Sequence, residues 1–437
     1  MSLFDFLLWT IMGVISFRMI FLKREFDVMI GWLMFGLIIL SLQLLYEGYK
    51  WQSVLLYLMP LMWLLFYKYN LKRVVKITLI SFFVLSSALL VVFPTPVLDE
   101  PTGQYVVGTT RLSVMDDSRF FYDEIRELPI QIWYPADSTE DKSPARWMID
   151  GKETTRAFAS SFHMLPFMMD QLNHVKTHSY EDVVMTEGEF PIVVLSHGWS
   201  SFRNLHLNFA EHLASNGYIV IALDHTYGAA ITRLQDGRVI TMDKSLLDND
   251  DILKYADELI ETYRDDIERV IDEIPKLNQN HPILKNHLEM DKLALLGHST
   301  GAGACVLYAL ENDVDAIIGL DAWVEPIEID KTLTVPNLFF RSEAWSESNN
   351  NQNLSKVTET IYEVNNANHQ DFTLVHKFSP ILELIGYTSD DSQTMQEEYI
   401  LEFFDHYLKG RRLNLKKLDE QYKDETSHKV VNPEASN

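Results

Sequence analysis

Leu293-Ala294-Leu295-Leu296-Gly297-His298-Ser299-Thr300-Gly301-Ala302-Gly303 is the stretch on which the fold turns. An aliphatic run of the kind a strand buried on both faces requires breaks at a Gly-x-Ser-x-Gly turn. Beyond it, residues 302–310 carry apolar side chains at helical spacing. A tight strand-to-helix turn crowds its neighbours and forces the serine into a strained conformation. Gly297 and Gly301 leave the room, and Ser299 is expected to lift its hydroxyl above the sheet as a nucleophile. The helix that begins there turns its free N–H groups and partial positive charge toward the same point.

Outward from this turn, from about Thr109, short β-rich runs alternate with helical stretches. That alternation predicts an α/β fold with a mostly parallel sheet flanked by helices. Strands are expected at 130–134, 191–196, 218–223, 293–296, 316–320, 337–340 and 361–364, and helices at 205–215, 252–274, 302–310 and 393–407. Tyr255, Leu259, Tyr263, Ile267, Val270 and Ile274 would share one helix face. Gly410 lies where the last helix should end. From about Thr426 the chain reads as a disordered polar tail.

A serine hydroxyl needs a base, and a neutral imidazole needs an acid to orient it. With a Gly-x-Ser-x-Gly elbow the chain order is Ser, then Asp or Glu, then His, as in α/β-hydrolases. Asp321 and Glu343 follow strands downstream of Ser299 and stand as alternative acids. Among His369, His376, His406 and His428, His369 follows the strand at 361–364 on a loop, where a base should sit. An oxyanion hole needs backbone N–H groups aimed at developing charge. The residue after the nucleophile, Thr300, supplies one, and Trp199, at the end of Val193-Val194-Leu195-Ser196-His197-Gly198-Trp199, supplies the other.

Other residues carry structural readings beside functional ones. His298 should pack in the elbow with its ring turned away from Ser299. Asp224 and His225 end a strand and either line the cleft or build a turn. Trp323 and Trp345 either shape the cleft or pack. Cys305, the single cysteine, reads as a small core residue; it excludes an internal disulfide and a multi-cysteine metal site. Phe158, Phe162, Met164, Leu165, Phe167, Met168 and Met169 form either a lid or lipid-facing patch or ordinary core.

The first 96 residues are different. Four apolar runs, 3–21, 28–45, 54–67 and 74–93, approach the ~20 residues that a bilayer-spanning helix needs. They predict an N-terminal transmembrane anchor domain of about four spans over 1–96, ahead of a catalytic domain over 97–425 and a tail over 426–437. The third run contains Pro60. Trp51, Trp63, Tyr57, Tyr67 and Tyr69 read as interfacial anchors, and Pro94-Thr95-Pro96 ends the last run. Arg18, Lys23 and Arg24 in the first connection and Lys68, Lys72, Arg73 and Lys76 in the third face only Lys50 in the second. That bias predicts a multi-pass cell-membrane protein whose catalytic domain lies on the extracellular face. Up to Pro96 the balance of charge is +4, so with the whole chain at −25 the remainder carries −29. Such a surface argues against nucleic acid or anionic headgroups as partners through bulk charge.

Taken in order, Ser196-His197-Gly198, Ala214-Ser215-Asn216-Gly217-Tyr218-Ile219-Val220, Gly297-His298-Ser299, Leu320-Asp321-Ala322-Trp323, Phe339-Phe340-Arg341-Ser342-Glu343 and His369-Gln370-Asp371-Phe372 closely resemble the platelet-activating factor acetylhydrolase family of the plasma and intracellular type II group. The likeness covers about residues 105–408. It implies that Asp321 rather than Glu343 is the acid and His369 the base. It further implies hydrolysis of esters with short or oxidised acyl groups, typically on phospholipids, without a metal or other cofactor. Thr300 and Ala302 stand where the animal enzymes are similar to Phe and Gly, and Trp199 replaces a smaller apolar residue. The four apolar runs are not a feature of the animal enzymes. The rival expectations are a general carboxylesterase or other surface ester hydrolase and, from another class, a catalytically silent membrane-anchored binding module. The silent module is disfavoured because all three members of a triad are present. A transporter is disfavoured by the few ionisable groups in the apolar runs.

Overall fold

A computed structural model describes residues 2–430 apart from 23–25, 68–72, 122, 162, 244–251, 344–348, 359 and 385–389. Phe162, Trp345, Tyr69, the basic residues Lys23, Arg24, Lys68 and Lys72, and the tail 431–437 therefore lie outside the described residues, as do the side chains of Tyr67, Arg73 and His428. The chain divides into two compact units.

The first unit holds Met1–Val97 together with Arg146–Val175 and Lys377–Leu382. Its four long helices, α1 (Leu3–Phe21), α2 (Phe26–Tyr46), α3 (Val54–Tyr67) and α4 (Arg73–Val92), coincide with the four apolar runs. Two stretches, Asp27–Tyr46 and Val74–Val92, are long and apolar enough to cross a membrane among the described residues, so the expected count of about four spans is not supported. The 14 residues of α3, with Pro60 inside it, are short for a bilayer core. In α1, Asp5 is engaged with Lys50 in a buried ion pair of 2.8 Å. Trp63 is not an interfacial anchor: it is buried among the helices.

Arg146–Val175 and Lys377–Leu382 correct the expected continuous domain over 97–425. Helix α5 (Lys152–Ser161) and a 3₁₀ segment at Pro166–His174 belong to the helical unit. Aromatic packing accounts for it. Trp147 and Phe158 each lie 5.4 Å from Phe378, and Phe167 meets Trp51 edge-on at 5.2 Å. The apolar patch anticipated here divides: Phe158 and Met169 are buried, whereas Leu165 and Phe167 are exposed.

The second unit is built on a ten-stranded sheet. Its strands are β1 (Val106–Phe121), β2 (Glu124–Ala136), β3 (Ser179–Glu181), β4 (Phe190–Ser196), β5 (Ile219–Leu223), β8 (Leu288–His298), β9 (Ala316–Leu320), β10 (Asn337–Ser342), β11 (Thr360–Val364) and β12 (Thr426–Val430). A separate two-stranded pair is formed by β6 (Ile231–Arg233) and β7 (Val239–Thr241). The order across the large sheet is β12-β11-β10-β9-β8-β4-β5-β2-β1-β3. From β11 to β5 neighbouring strands are parallel, while β2 joins β5, and β12 joins β11, antiparallel. Every expected strand overlaps an observed one, the strand at 218–223 beginning one residue later, at Ile219. The tail reading fails at its start, because Thr426–Val430 pairs with Thr360–Val364 and satisfies an edge that would otherwise be open.

Helices α6 (Leu207–Ser215), α7 (Ile252–Asn280), α8 (Thr300–Glu311), α9 (Asn349–Val357), the single turn α10 (Ile381–Leu384), α11 (Asp390–Lys409) and α12 (Leu415–Gln421) complete the set, α10 straddling the two units. The α7 face from Tyr255 to Ile274 is buried in the sheet core as its spacing predicts. In an open parallel sheet, ligands collect at the carboxyl ends of the strands. Paired registers bring Ser196 of β4 level with Gly297 of β8, and Gly297 level with Gly319 of β9. The segments after β4, β8, β9 and β11 thus share one edge.

Candidate active site

Ser299 occupies the one-residue joint between β8 and α8 with φ 54° and ψ −123°. A non-glycine residue in this region costs on the order of 1–3 kcal/mol, and backbone hydrogen bonds hold it there. The Ser299 N–H donates to the Leu320 carbonyl at 3.0 Å, and the Ser299 carbonyl accepts from Gly303 and Trp323, both at 3.0 Å. The glycines are needed for contact. A Cβ at Gly301 would lie 2.4 Å from the Ser196 carbonyl oxygen, and one at Gly297 would lie 2.5 Å from the Ala302 Cα. Facing them, Gly198 passes so close that its Cβ would lie 2.9 Å from Ser299 Cβ.

His369 Nε2 lies 2.8 Å from Ser299 Oγ, and His369 Nδ1 lies 2.7 Å from Asp321 Oδ2. Asp321 follows β9, is fully buried, and receives three further donors: Arg341 Nη1 at 2.9 Å, the Ser342 N–H at 3.0 Å and the Ser342 hydroxyl at 2.7 Å. Burial by itself pushes this carboxyl up. The hydrogen bond and charge of His369, the Arg341 guanidinium and the Ser342 hydroxyl outweigh it and hold Asp321 well below the usual carboxylate range. Ionised Asp321 takes the Nδ1–H of His369 and leaves Nε2 as an acceptor for the serine proton.

The other acid and histidines considered from sequence lie elsewhere. Glu343 is exposed and accepts the Asn366 N–H at 2.6 Å. His376 is buried beside Gln393, and His406 contacts the Arg411 carbonyl. Asp224 is buried in an ion pair with Arg203, and His225 is buried beneath the strand edge. Cys305 is a fully buried core residue whose thiol is pushed up by burial.

A cavity of about 430 Å³ opens at Ser299 and His369 and is lined further by Trp199, Thr300, Trp323, Glu325, Asn350 and Gln370. Trp199 and Trp323 run nearly parallel, 6.5 Å apart. Asn350 was not singled out from sequence, because its role depends on a loop contact. It accepts the Val324 N–H at 2.8 Å and donates to the Ala322 carbonyl at 2.8 Å, fixing the loop after Asp321. His298 packs in the elbow, but it also bonds the His369 carbonyl through Nε2 at 3.1 Å, a link no local pattern announces. Burial and the charge of His369 push His298 down to about 3, so it is a neutral donor.

Fold and site together define an α/β protein with an elbow serine at the carboxyl edge of a mostly parallel sheet. Residues 91–258 and 265–378, more than half of the chain, match the family described as platelet-activating factor acetylhydrolase, isoform II, and the chain belongs to that family. It is 28% identical over 285 residues to the dog protein named platelet-activating factor acetylhydrolase, covering 58% of this chain and 62% of that one. The bovine protein of the same name is 24% identical over 278 residues, covering 57% and 60%. The chain thus spans under two thirds of the length of these relatives. A solved structure of a ferulic acid esterase from Streptomyces cinnamoneus shares the fold, with a TM-score of 0.62 and 24% identity over 74% of this chain and 95% of that one.

Proposed function

We propose that this protein is a membrane-anchored serine hydrolase that cleaves carboxylic esters through Ser299, His369 and Asp321. The observation that carries the reading is the unbroken chain of short contacts, 2.8 Å and 2.7 Å, from a strained serine through His369 to an ionised carboxylate, with the serine at the wall of a cavity.

In the proposed reaction Ser299 Oγ attacks the ester carbonyl carbon as its proton passes to His369 Nε2. The carbonyl π pair moves onto oxygen, toward the backbone N–H groups of Thr300 and Trp199. Collapse of the tetrahedral adduct breaks the ester C–O bond, and the imidazolium returns the proton to the departing alcohol. Water then gives its proton to His369 while attacking the acyl-enzyme, and the carboxylic acid leaves as Ser299 is reprotonated. Asp321 stays ionised and stabilises the transient imidazolium. No step calls for a cofactor.

Short or oxidised acyl esters of phospholipids are the proposed substrates, in keeping with the family and with an open cavity of about 430 Å³ at the nucleophile. Helices at Asp27–Tyr46 and Val74–Val92 support anchoring in a bilayer, and a cytoplasmic connection between them, which holds Lys50, Lys68, Lys72 and Arg73, would leave the catalytic unit extracellular. Hydrolysis of chromogenic esters from acetyl to long-chain acyl by the full chain in detergent tests the activity. Turnover that favours short chains and disappears in Ser299→Ala supports it, and turnover that persists in the variant refutes it. Because Cys305 is buried, a cysteine placed at exposed Asp236 reports topology. Its labelling by a membrane-impermeant maleimide on intact cells is expected, and labelling only after lysis would reverse the orientation.

A further inference from the structure

A second Ser-His-Asp array lies beneath the oxyanion loop. Ser196 Oγ is 2.8 Å from His225 Nε2, and His225 Nδ1 is 2.9 Å from Asp266 Oδ2. Asp266 is in turn clamped by Arg126, whose Nε and Nη2 lie 2.7 Å from its two oxygens, and by Arg119 Nη2 at 2.7 Å. Ser196, His225 and Asp266 have no exposed surface, so no substrate reaches them. The array also differs from the Ser299 chain in where it leads. The His225 backbone N–H donates to His197 Nε2 at 3.3 Å, and His197 Nδ1 lies 2.7 Å from the Gly198 carbonyl oxygen.

The protons follow from these contacts. A carbonyl only accepts, so His197 carries its proton on Nδ1 and donates it to Gly198, which leaves Nε2 free to accept from His225. Asp266 is held ionised by Arg126 and His225 against its burial, so His225 carries its proton on Nδ1 and accepts the Ser196 hydroxyl proton on Nε2. Burial, first of all, pushes both imidazoles down, and both are neutral at ordinary pH. His225 is held in its plane by stacking on Tyr263, with ring centroids 3.5 Å apart and planes at 10°.

The Gly198 carbonyl and the Trp199 N–H belong to one planar trans peptide and point in opposite directions. Fixing the carbonyl therefore fixes the N–H. The Ser201 N–H, 3.1 Å from the same oxygen, adds a second hold, and the approach of Gly198 to Ser299 places this peptide beside the nucleophile. We infer that His197, set by the buried Ser196–His225–Asp266 array, is the positioning residue that aims the Trp199 N–H at the oxyanion. The inference rests on the hydrolase reading above and goes beyond it, since it assigns the aim of the hole to residues that never meet substrate.

The test compares the full-chain wild type with His197→Leu, which removes both ring nitrogens, His197→Asn, whose amide N–H₂ can stand near Nδ1, and Ser196→Ala. Paired oxo- and thionoesters are the substrates, because an oxyanion hole favours oxygen over the larger and more weakly accepting sulfur. With one donor misdirected, His197→Leu is expected to lose about 10- to 100-fold in kcat at nearly unchanged KM, and its oxo/thiono rate ratio falls. His197→Asn recovers most of both, and Ser196→Ala shows a smaller fall of the same kind. A general loss of packing would not change the oxo/thiono ratio. If His197→Leu fails to fold, Ser196→Ala decides: wild-type kcat and wild-type ratio in a folded variant overturn the inference. A wild type with no Ser299-dependent turnover would overturn the hydrolase reading and this inference with it, whereas an active wild type with unaffected variants overturns this inference alone.

Discussion

His369 Nδ1 stands 2.7 Å from Asp321 Oδ2, and the same carboxylate is the buried counter-charge of Arg341. One side chain thus orients the proposed base and neutralises a guanidinium that is 1% exposed. Asp321→Asn is expected to lower kcat by roughly 10³- to 10⁴-fold through the wrong imidazole tautomer. Removing the carboxylate charge that faces buried Arg341 also lowers stability, by up to about 3–5 kcal/mol. Steady-state kinetics and thermal melts read the two effects separately; wild-type kcat in the folded variant would remove Asp321 from the mechanism.

Gly198 and Ser299 approach too closely for a side chain between them. Gly198→Ala would put its Cβ 2.9 Å from Ser299 Cβ and 3.2 Å from His298 Nδ1, displacing the proposed oxyanion peptide. A loss of about 10²-fold or more in kcat is expected, on the scale of removing one oxyanion donor, and kinetics on a short-chain ester measures it. Activity within twofold of wild type would show that the peptide has room to yield.

His298 donates to the His369 carbonyl and so fixes the loop that carries the base. His298→Gln can keep a donor near Nε2, whereas His298→Ala removes it and leaves a cavity. The alanine variant should lose about 10-fold in kcat, about the worth of one hydrogen bond to a positioned group, and the glutamine variant much less. Equal loss in both would assign His298 to packing alone.

Glu211 is buried, with the His178 N–H 2.9 Å from its Oε1. Burial pushes its carboxyl up to about 7, against the hydrogen bonds of Ser179 and His178. The folded chain therefore keeps a proton that the unfolded chain releases near 4.5. Stability contributed by this group falls as pH rises from that value through about 7. Melting temperature should drop across this window by roughly 5 °C or more in the wild type, and less in Glu211→Gln. Parallel curves would contradict the assignment.

The elbow is legible in the sequence because Gly297, Ser299 and Gly301 answer a local steric demand and the flanking runs have unmistakable periods. Strands buried on both faces, such as 293–296 and 316–320, are equally plain. What the sequence hides is non-local. Nothing near Thr426 announces that β11 needs a partner, and nothing in Arg146–Val175 announces that Trp147 and Phe158 pack on Phe378 rather than in the sheet core. Each of the four apolar runs has a spanning look in isolation, whereas among the described residues two stretches, Asp27–Tyr46 and Val74–Val92, are long and apolar enough to cross a membrane. His225 shows the same limit within the site, since its partners Ser196 and Asp266 lie 29 and 41 residues away.

The central claim is that Ser299 is the nucleophile, and a fluorophosphonate that labels activated serines tests it most directly. Intact mass and peptide mapping of the labelled full chain should find one adduct on the peptide carrying Ser299, blocking ester hydrolysis in proportion, with no adduct in Ser299→Ala. An adduct on another serine, or hydrolysis that continues in a fully labelled protein, would contradict it.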